Sequence, residues 1–416
     1  MESLYAFQGR VIDGNGGEPI ENGLVVVEGN RIKAVCRADE YPLPPVAKVI
    51  AVPDGTILPG LIDCHEHIGM CTVRFVEAFQ IHPYERVARA CNELKALLNA
   101  GFTTVRDCGG CGVHLKKAAA DNIIDSPRLV CAGRVITQTN GHFDLIKSWP
   151  VEYNDKGNIL AYVVDGPDEI RKAIRLNFRD GADFVKMMLS PSISSQSACS
   201  DIYEFSDEEV RVGREEAARC GTFLEAHAIT NQGLKHAIRN GAQIIDHADF
   251  VQVEDVEALL QSDCKWVIPT LSILHVYMEA IRTGVNRDKL SPWAIVKTPP
   301  AYESQLESIH TLYKAGVKLG CGADFGGDKY LGPHGANGME FERLCAIGMS
   351  PMESIMAGTK TGSEIIMNPD LGTLAEGKLA DVIVVKGNPL EDIRLLGNAD
   401  NVKVVMKDGL VKKQID

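Results

Sequence analysis

The segment LPGLIDCHEHIG places two histidines, His65 and His67, two residues apart at the end of a short apolar run. Side chains at i and i+2 of a strand point to the same face, so both imidazoles can reach one ion. Alone, an H-x-H is equally consistent with two surface histidines. Position adds what the spacing lacks. Lys186 lies in the apolar run DFVKMML, His227 in FLEAHA, His247 in IIDHA and Asp324 at the end of LGCGAD. A lysine on an otherwise apolar strand must snorkel out or find a partner, because a buried unpaired ammonium is costly. Imidazoles and a carboxylate gathered at strand ends are the donor types of a metal site. The C-x-x-C pair Cys108 and Cys111 has no second pair at zinc-ribbon distance, and Gly109-Gly110 reads as a loop, so a zinc or redox role is disfavoured.

These residues need a scaffold that brings strand ends together. From about residue 57 to 365 the chain alternates apolar runs with helical patterns. The runs are 57–63, 102–107, 128–133, 183–189, 222–227, 243–247, 266–270 and 316–324. Helix candidates include 85–99, 206–220, 231–240, 254–262 and 301–315. Ser206 with Glu209 forms a capping-box pattern, and Ser350-Pro351-Met352-Glu353 adds a proline at the first helical position. Strand–helix alternation predicts parallel strands, and eight such units predict an α/β fold, the (β/α)8 TIM-type barrel. In that fold the C-terminal strand ends converge on one face, so His65, His67, Lys186, His227, His247 and Asp324 are expected to meet there.

The chain ends read differently. Residues 23–36 suggest two strands around a Gly29-Asn30 turn, and 402–413 a hairpin around Asp408-Gly409, with a further β-rich run at 381–386. Each has little apolar material to bury alone, so the two termini are expected to share one small sheet domain. The Pro-containing stretches 41–45 and 52–59 read as leads into the central region.

With 416 residues, 45% hydrophobic and 24% charged, the chain has the balance of a globular protein with a sizeable core. Its 43 basic against 56 acidic residues give a formal net charge of −13, which opposes nucleic-acid binding and a basic membrane patch. No window approaches about 18 uninterrupted apolar residues. The N-terminal MESLYAF has no basic region followed by an apolar stretch. A cytoplasmic location with reduced thiols is the expectation for its twelve cysteines.

LPGLIDCHEHIG, the fourth-strand lysine, the fifth- and sixth-strand histidines, GAD near the eighth strand, and the closing LGTLAEGKLADVIVVKGNPLED together resemble the amidohydrolase superfamily over nearly the whole chain. TTVRDCGG at 103–110 and TNGHFD at 139–144 are similar to the imidazolonepropionase-related group, which contains prolidase-type Xaa-Pro dipeptidases and Lys/Arg carboxypeptidases. The resemblance implies a composite β-sandwich from residues 1–57 plus 366–416 around a barrel at 58–365, and a homo-oligomer. It implies that His65, His67 and Asp324 hold one divalent metal and that His227 and His247 hold a second. Lys186 would bridge them as an N-carboxylated lysine. Zn²⁺ suits such donors, and Mn²⁺ or Co²⁺ fit them too.

The implied reaction is attack of a metal-bridging hydroxide on an amide carbonyl, with Asp324 as general base and then acid. His142, in TNGHFD, would contact the substrate. Dipeptides of the Xaa-Pro type or N-acyl amino acids are the expected substrates. One departure concerns Ile229, which stands where prolidase-type relatives commonly have a substrate-binding Tyr. Another is the segment 190–205, which lacks the Gly-Gly that often follows the lysine. Both admit a larger non-peptide amide, such as a toxin amide or an arylurea. A mononuclear deaminase is the other enzymatic reading, but it does not need Lys186. A scaffold that has lost its ligands is disfavoured because every expected ligand is present. His236 and His310 lie on helix patterns and are expected to be solvated, whereas His275 and His334 follow strand runs and are candidate pocket residues. Arg106, Asp107 and Arg134 read as structural.

Overall fold

The computed structural model describes residues 4–145, 150, 158–196 and 201–415. Its strands, in chain order, are β1 (Leu4–Val11), β2 (Ile20–Glu28), β3 (Arg31–Arg37), β4 (Lys48–Pro59), β5 (Leu61–Glu66), β6 (Phe102–Asp107), β7 (Arg128–Cys131) and β8 (Val135–Thr137). They continue with β9 (Ala161–Val163), β10 (Val185–Met188), β11 (Leu224–Ala228), β12 (Ile244–His247), β13 (Trp266–Ile268), β14 (Val382–Lys386), β15 (Val402–Lys407) and β16 (Leu410–Gln414).

Turn chemistry builds the terminal sheet. Asp408 and Gly409 both have positive φ, 50° and 74°, which matches the twist of a tight hairpin and joins β15 to β16. Gly29, at φ 60°, turns β2 into β3. One seven-stranded sheet results, in the order β16-β15-β14-β4-β1-β2-β3, so both chain ends do meet in one sheet. Residues 52–59, read from sequence as a lead-in, belong to β4. The register with β1 jumps from Gly9↔Val52 to Arg10↔Thr56, and this irregularity accommodates Pro53 and Gly55 inside a strand.

The central strands are all parallel to their neighbours. β5-β6-β7 form one sheet, and β13-β12-β11-β10-β8-β9 form another. Individual backbone bonds extend these ladders. Asp183 N–H donates to Cys131 O at 2.7 Å, Val267 N–H to Lys318 O at 3.0 Å and Cys64 N–H to Cys321 O at 2.8 Å. The third predicted run is confined to β7, while the three-residue β8 and β9 are too short to show a sequence period. The eighth run, 316–324, forms no named strand among the described residues and pairs through an isolated bridge, Leu319 to Val267, and single backbone bonds. Gly320 and Gly322 interrupt it, and a Cβ on Gly322 would lie 2.7 Å from His65 Cβ.

Most predicted helices occur within a residue or two of their expected ends, including Pro83–Asn99, Asp207–Arg219, Asn231–Arg239 and Val253–Gln261. The exception is Pro292–Lys314, which begins earlier than expected and runs through Pro299 and Pro300. The expected helix, 301–315, starts just after these prolines, whereas the observed start is capped by Ser291, whose side chain accepts from Ala294 N–H. Apolar faces of helices and strands form one large cluster that includes Leu94, Leu98, Phe102, Val105, Met187, Leu224 and Phe341. Among the described residues, no helix is long and apolar enough to cross a membrane.

Phe341 and Phe102 stack with centroids 6.3 Å apart inside this core. Phe341→Ala is expected to cost about 3–5 kcal/mol, read as a lower denaturant midpoint; a change below about 1 kcal/mol would contradict this packing account. Its neighbour Glu340 accepts from the Leu271 and Ser272 amides at 3.0 and 2.8 Å, satisfying the start of helix Leu271–Thr283. Burial pushes the Glu340 carboxyl from its ordinary 4.5 up to about 7. A raised acid favours folding only while protonated, so its contribution is complete below about pH 4.5 and declines until about pH 7, by about 3 kcal/mol. Glu340→Gln is expected to flatten that decline, measured as the change in unfolding free energy between about pH 4.5 and about pH 7.5. Parallel pH curves for the two proteins would rule it out.

Candidate active site

Several strand ends carry a backbone that residues other than glycine seldom adopt. His247 at the end of β12, Thr270 after β13, and Asp324 have φ of 72°, 52° and 57°. Such left-handed residues cost about 1–3 kcal/mol each and persist where their surroundings hold them. Thr270, being β-branched, is the most restricted, and its hydroxyl lies 2.7 Å from His247 Nδ1. Gly109, at φ 141°, turns its carbonyl to His67 Nδ1 at 2.8 Å, and a Cβ there would strike Val135.

The expected residues do converge. The rings of His65 and His67 are 5.4 Å apart, His65 and His247 5.2 Å, His227 and His247 4.6 Å, and His142 and His227 4.6 Å. Donor atoms of His65, His247 and Asp324 lie within 4.8 Å of one another. His65, His67, His142, Lys186, His227, Ile229, His247 and Asp324 all line one cavity of about 50 Å³.

Hydrogen bonds on the far side of the rings fix which nitrogen faces inward. His65 Nδ1 donates to Asp246 Oδ1 at 3.0 Å, and His67 Nδ1 donates to the Gly109 carbonyl. Both rings therefore present Nε2, at 3.5 and 3.2 Å from the same Asp324 oxygen. A neutral imidazole lone pair facing a carboxylate is unfavourable, and a proton or a metal cation between them removes the conflict. Among the described residues, buried His227 Nε2 has no hydrogen-bond partner.

The electrostatics favour neutral imidazoles. Burial pushes His247 and His142 down to about 3, and pushes His227 well below the ordinary histidine range, assisted by neighbouring His247 and His142. Burial also lowers His65, against the opposing pull of Asp246. Burial would raise Asp324, but His65, His67 and His247 hold it well below the usual carboxylate range. Burial lowers His67 too, but the bond to Asp324, that carboxylate's charge, the Gly109 carbonyl and Asp107 together raise it above the ordinary histidine value. A carboxylate ringed by buried imidazoles with inward lone pairs fits a divalent cation.

Lys186 is fully buried, and its ammonium pairs with Asp246 and, at 3.2 Å, with Glu225. Lys186 and Glu225 are direct partners in the β10–β11 register, as are His227 and Asp246 between β11 and β12. Glu225 also pairs with Arg106, whose guanidinium lies over the Phe184 ring at 3.6 Å. The sequence reading does not single out these acids. The argument applied to Lys186, a charge on an apolar strand, finds both of them.

One wall of the cavity is apolar, from Val73, Ile193, Ile229, Ile273, Leu274 and Tyr277. A larger chamber of about 380 Å³ adjoins it across Val73, His142 and Ser194, and includes Leu290 and Trp293. Of the segment 190–205, residues 197–200 lie outside the described residues. His334 and His275 do not line the cavity. His334 is buried between Glu66 at 2.8 Å and Glu93 at 3.3 Å, and His275 faces Tyr302 and Arg343. His310 is exposed as expected, but His236 is buried beneath Tyr203, 3.1 Å from Asp207, because its helix face packs inward. Asp107 accepts from Ile68 and Gly112 amides, and Arg134 lies over Tyr162, both structural uses. Cys108 and Cys111 are free and buried, and the Cys108 thiol points to Glu225 at 3.1 Å.

This arrangement has close relatives. The chain is 30% identical to the ochratoxinase of Aspergillus niger over 99% of its own length and 86% of that protein. The crystal structure of that ochratoxinase superposes with a TM-score of 0.90 at 28% identity, covering 100% of this chain and 97% of the other. A Xaa-Pro dipeptidase crystallised with methionine in its active site superposes at 0.86 with 29% identity, covering 99% and 100%. An imidazolonepropionase from Salinispora tropica is 23% identical over 82% of this chain and 80% of that protein. The amidohydrolase family profile matches residues 56–411. The chain belongs to the amidohydrolase family and is a hydrolase of carbon–nitrogen bonds.

Proposed function

We propose that the protein is a binuclear metal-dependent amidohydrolase that cleaves amide bonds in N-acyl amino acids or Xaa-Pro-type dipeptides. The observation that carries this reading is the set of inward Nε2 atoms around Asp324. His65, His67 and Asp324 would hold one divalent ion, and His227 and His247 a second, with Zn²⁺ the best match to these donors. Lys186 would join them after N-carboxylation, which turns its ammonium into an oxygen donor. Its place in the same cavity supports this.

Divalent ions held there would acidify water and polarise the scissile carbonyl. Asp324 takes the proton of the attacking water as the new C–O bond forms. It then passes that proton to the amine nitrogen as the C–N bond breaks. His142 binds the carbonyl oxygen as negative charge grows on it. Ile229 and the other apolar lining residues keep part of the cavity free of polar groups.

A second reading, a larger non-peptide amide, is favoured by one observation. The reaction cavity of about 50 Å³ is far smaller than the adjoining chamber of about 380 Å³, which suits a bulky group beyond the amide. The ochratoxinase likeness supports the same reading.

For the architecture, we assign residues 58–365 to a (β/α)8 barrel and residues 1–57 with 366–416 to a β-sandwich. The support is the parallel ladders, the backbone bonds from 318–324 to β13 and β5, and a terminal sheet with apolar residues on both faces. A cytoplasmic homo-oligomer completes the proposal.

Elemental analysis of the purified protein is expected to find about two divalent ions per chain. Lys186→Ala should retain at most one, and two retained ions would exclude the bridging role. One ion in the native protein that also survives Lys186→Ala would favour the deaminase reading. Asp324→Asn is expected to lower kcat by about 10²–10⁴-fold on any amide that the native protein hydrolyses. A screen of Zn²⁺-loaded protein against Xaa-Pro dipeptides, N-acyl amino acids and arylureas tests the substrate class. Turnover of arylureas alone would overturn the peptide-like assignment.

A further inference from the structure

A serine in the loop after β10, Ser195, lies beside His142. Ser195 is buried, and its Oγ accepts from the Ser192 amide at 2.9 Å while lying 2.7 Å from His142 Nδ1. The Ser192 amide is a donor and cannot take the hydroxyl proton. Among the described residues the acceptor within reach is His142 Nδ1, and an imidazole nitrogen accepts only when it carries no hydrogen. The loop itself is clamped from the helix Pro292–Lys314. Trp293 Nε1 donates to Ser194 O at 2.8 Å, and Lys297 Nζ donates to Ser195 O at 2.7 Å. The His142 ring is packed between Phe143 and His227, each with centroids 4.6 Å away, so it has little freedom to turn over.

We propose that Ser195 is a positioning residue for His142. Its hydroxyl donates to Nδ1, keeps the single ring proton on Nε2, and so makes the nitrogen not committed to Ser195 a hydrogen-bond donor. This rests on the amidohydrolase reading for its purpose: an Nε2–H donor suits a carbonyl oxygen that gains negative charge. The opposite tautomer would present a lone pair to that oxygen and repel it. Trp293 and Lys297 act one step further out, by holding the loop that carries the hydroxyl.

The test is long-range proton–nitrogen correlation on Zn²⁺-loaded protein labelled with ¹⁵N-histidine, with His142→Gln used to assign the signal. The native spectrum is expected to show His142 protonated at Nε2 and bare at Nδ1. A native spectrum with the proton on Nδ1 overturns the proposal without any variant. Ser195→Ala should shift His142 toward the other tautomer, and Ser195→Thr should keep the native pattern; an unchanged pattern in Ser195→Ala also overturns it. With an N-acyl amino acid that the native protein hydrolyses, Ser195→Ala should lower kcat about tenfold with KM within about twofold, and Ser195→Thr should restore it. If no amide is hydrolysed, the functional reading falls while the spectra still decide the tautomer.

Discussion

Before any modification, the Lys186 ammonium deep between parallel strands needs counter-charge, and the acids beneath the cavity supply it. Lys186 meets Asp246 and Glu225, and Glu225 meets Arg106 in turn. Two cations and two anions thus share one buried volume. Removing a single member would leave an uncompensated charge, a loss of about 3–5 kcal/mol in comparable buried pairs. Asp246 has a second task, since its other oxygen holds His65 Nδ1. The charge balance beneath the cavity and the orientation of the first imidazole are therefore one problem with one solution.

His67 and His247 are held by neutral groups rather than by charge. Gly109 supplies a carbonyl from a conformation that a side chain would obstruct, and Thr270 supplies a hydroxyl from the left-handed region. Glu340 ties the residues after Thr270 to another helix. The strained Thr270 is thus followed by residues anchored outside the cavity. That is how local strain survives in a stable fold.

How much of this is legible in the sequence depends on the kind of signal each residue leaves. His65, His67, Lys186, His227, His247 and Asp324 stand out because each is a polar residue at the edge of an apolar run, and all six line one cavity. Helix positions are readable from periodicity and capping residues. The short β8 and β9 are not, because three residues cannot display alternation. Pro299-Pro300 obscures the start of one helix, since proline reads as a boundary unless an earlier cap is recognised. His236 reads as solvated because a helical pattern shows that a face exists without showing what packs on it. Ser195 and Thr270 are invisible as individuals: a hydroxyl becomes informative only when its hydrogen-bond partner is known.

The terminal sheet has a temporal side. β4 lies between β1 and β14, and Pro59 pairs with Val382. Roughly 320 residues separate these partners, so at about 5–20 residues per second the ribosome delivers the second strand some 15–65 s after the first. Through that interval β4 offers one open edge of amides and carbonyls beside an apolar face, the kind of surface that recruits wrong partners. A strand that arrives late thus completes a sheet begun early, and the nascent chain carries that exposed edge until β14 appears.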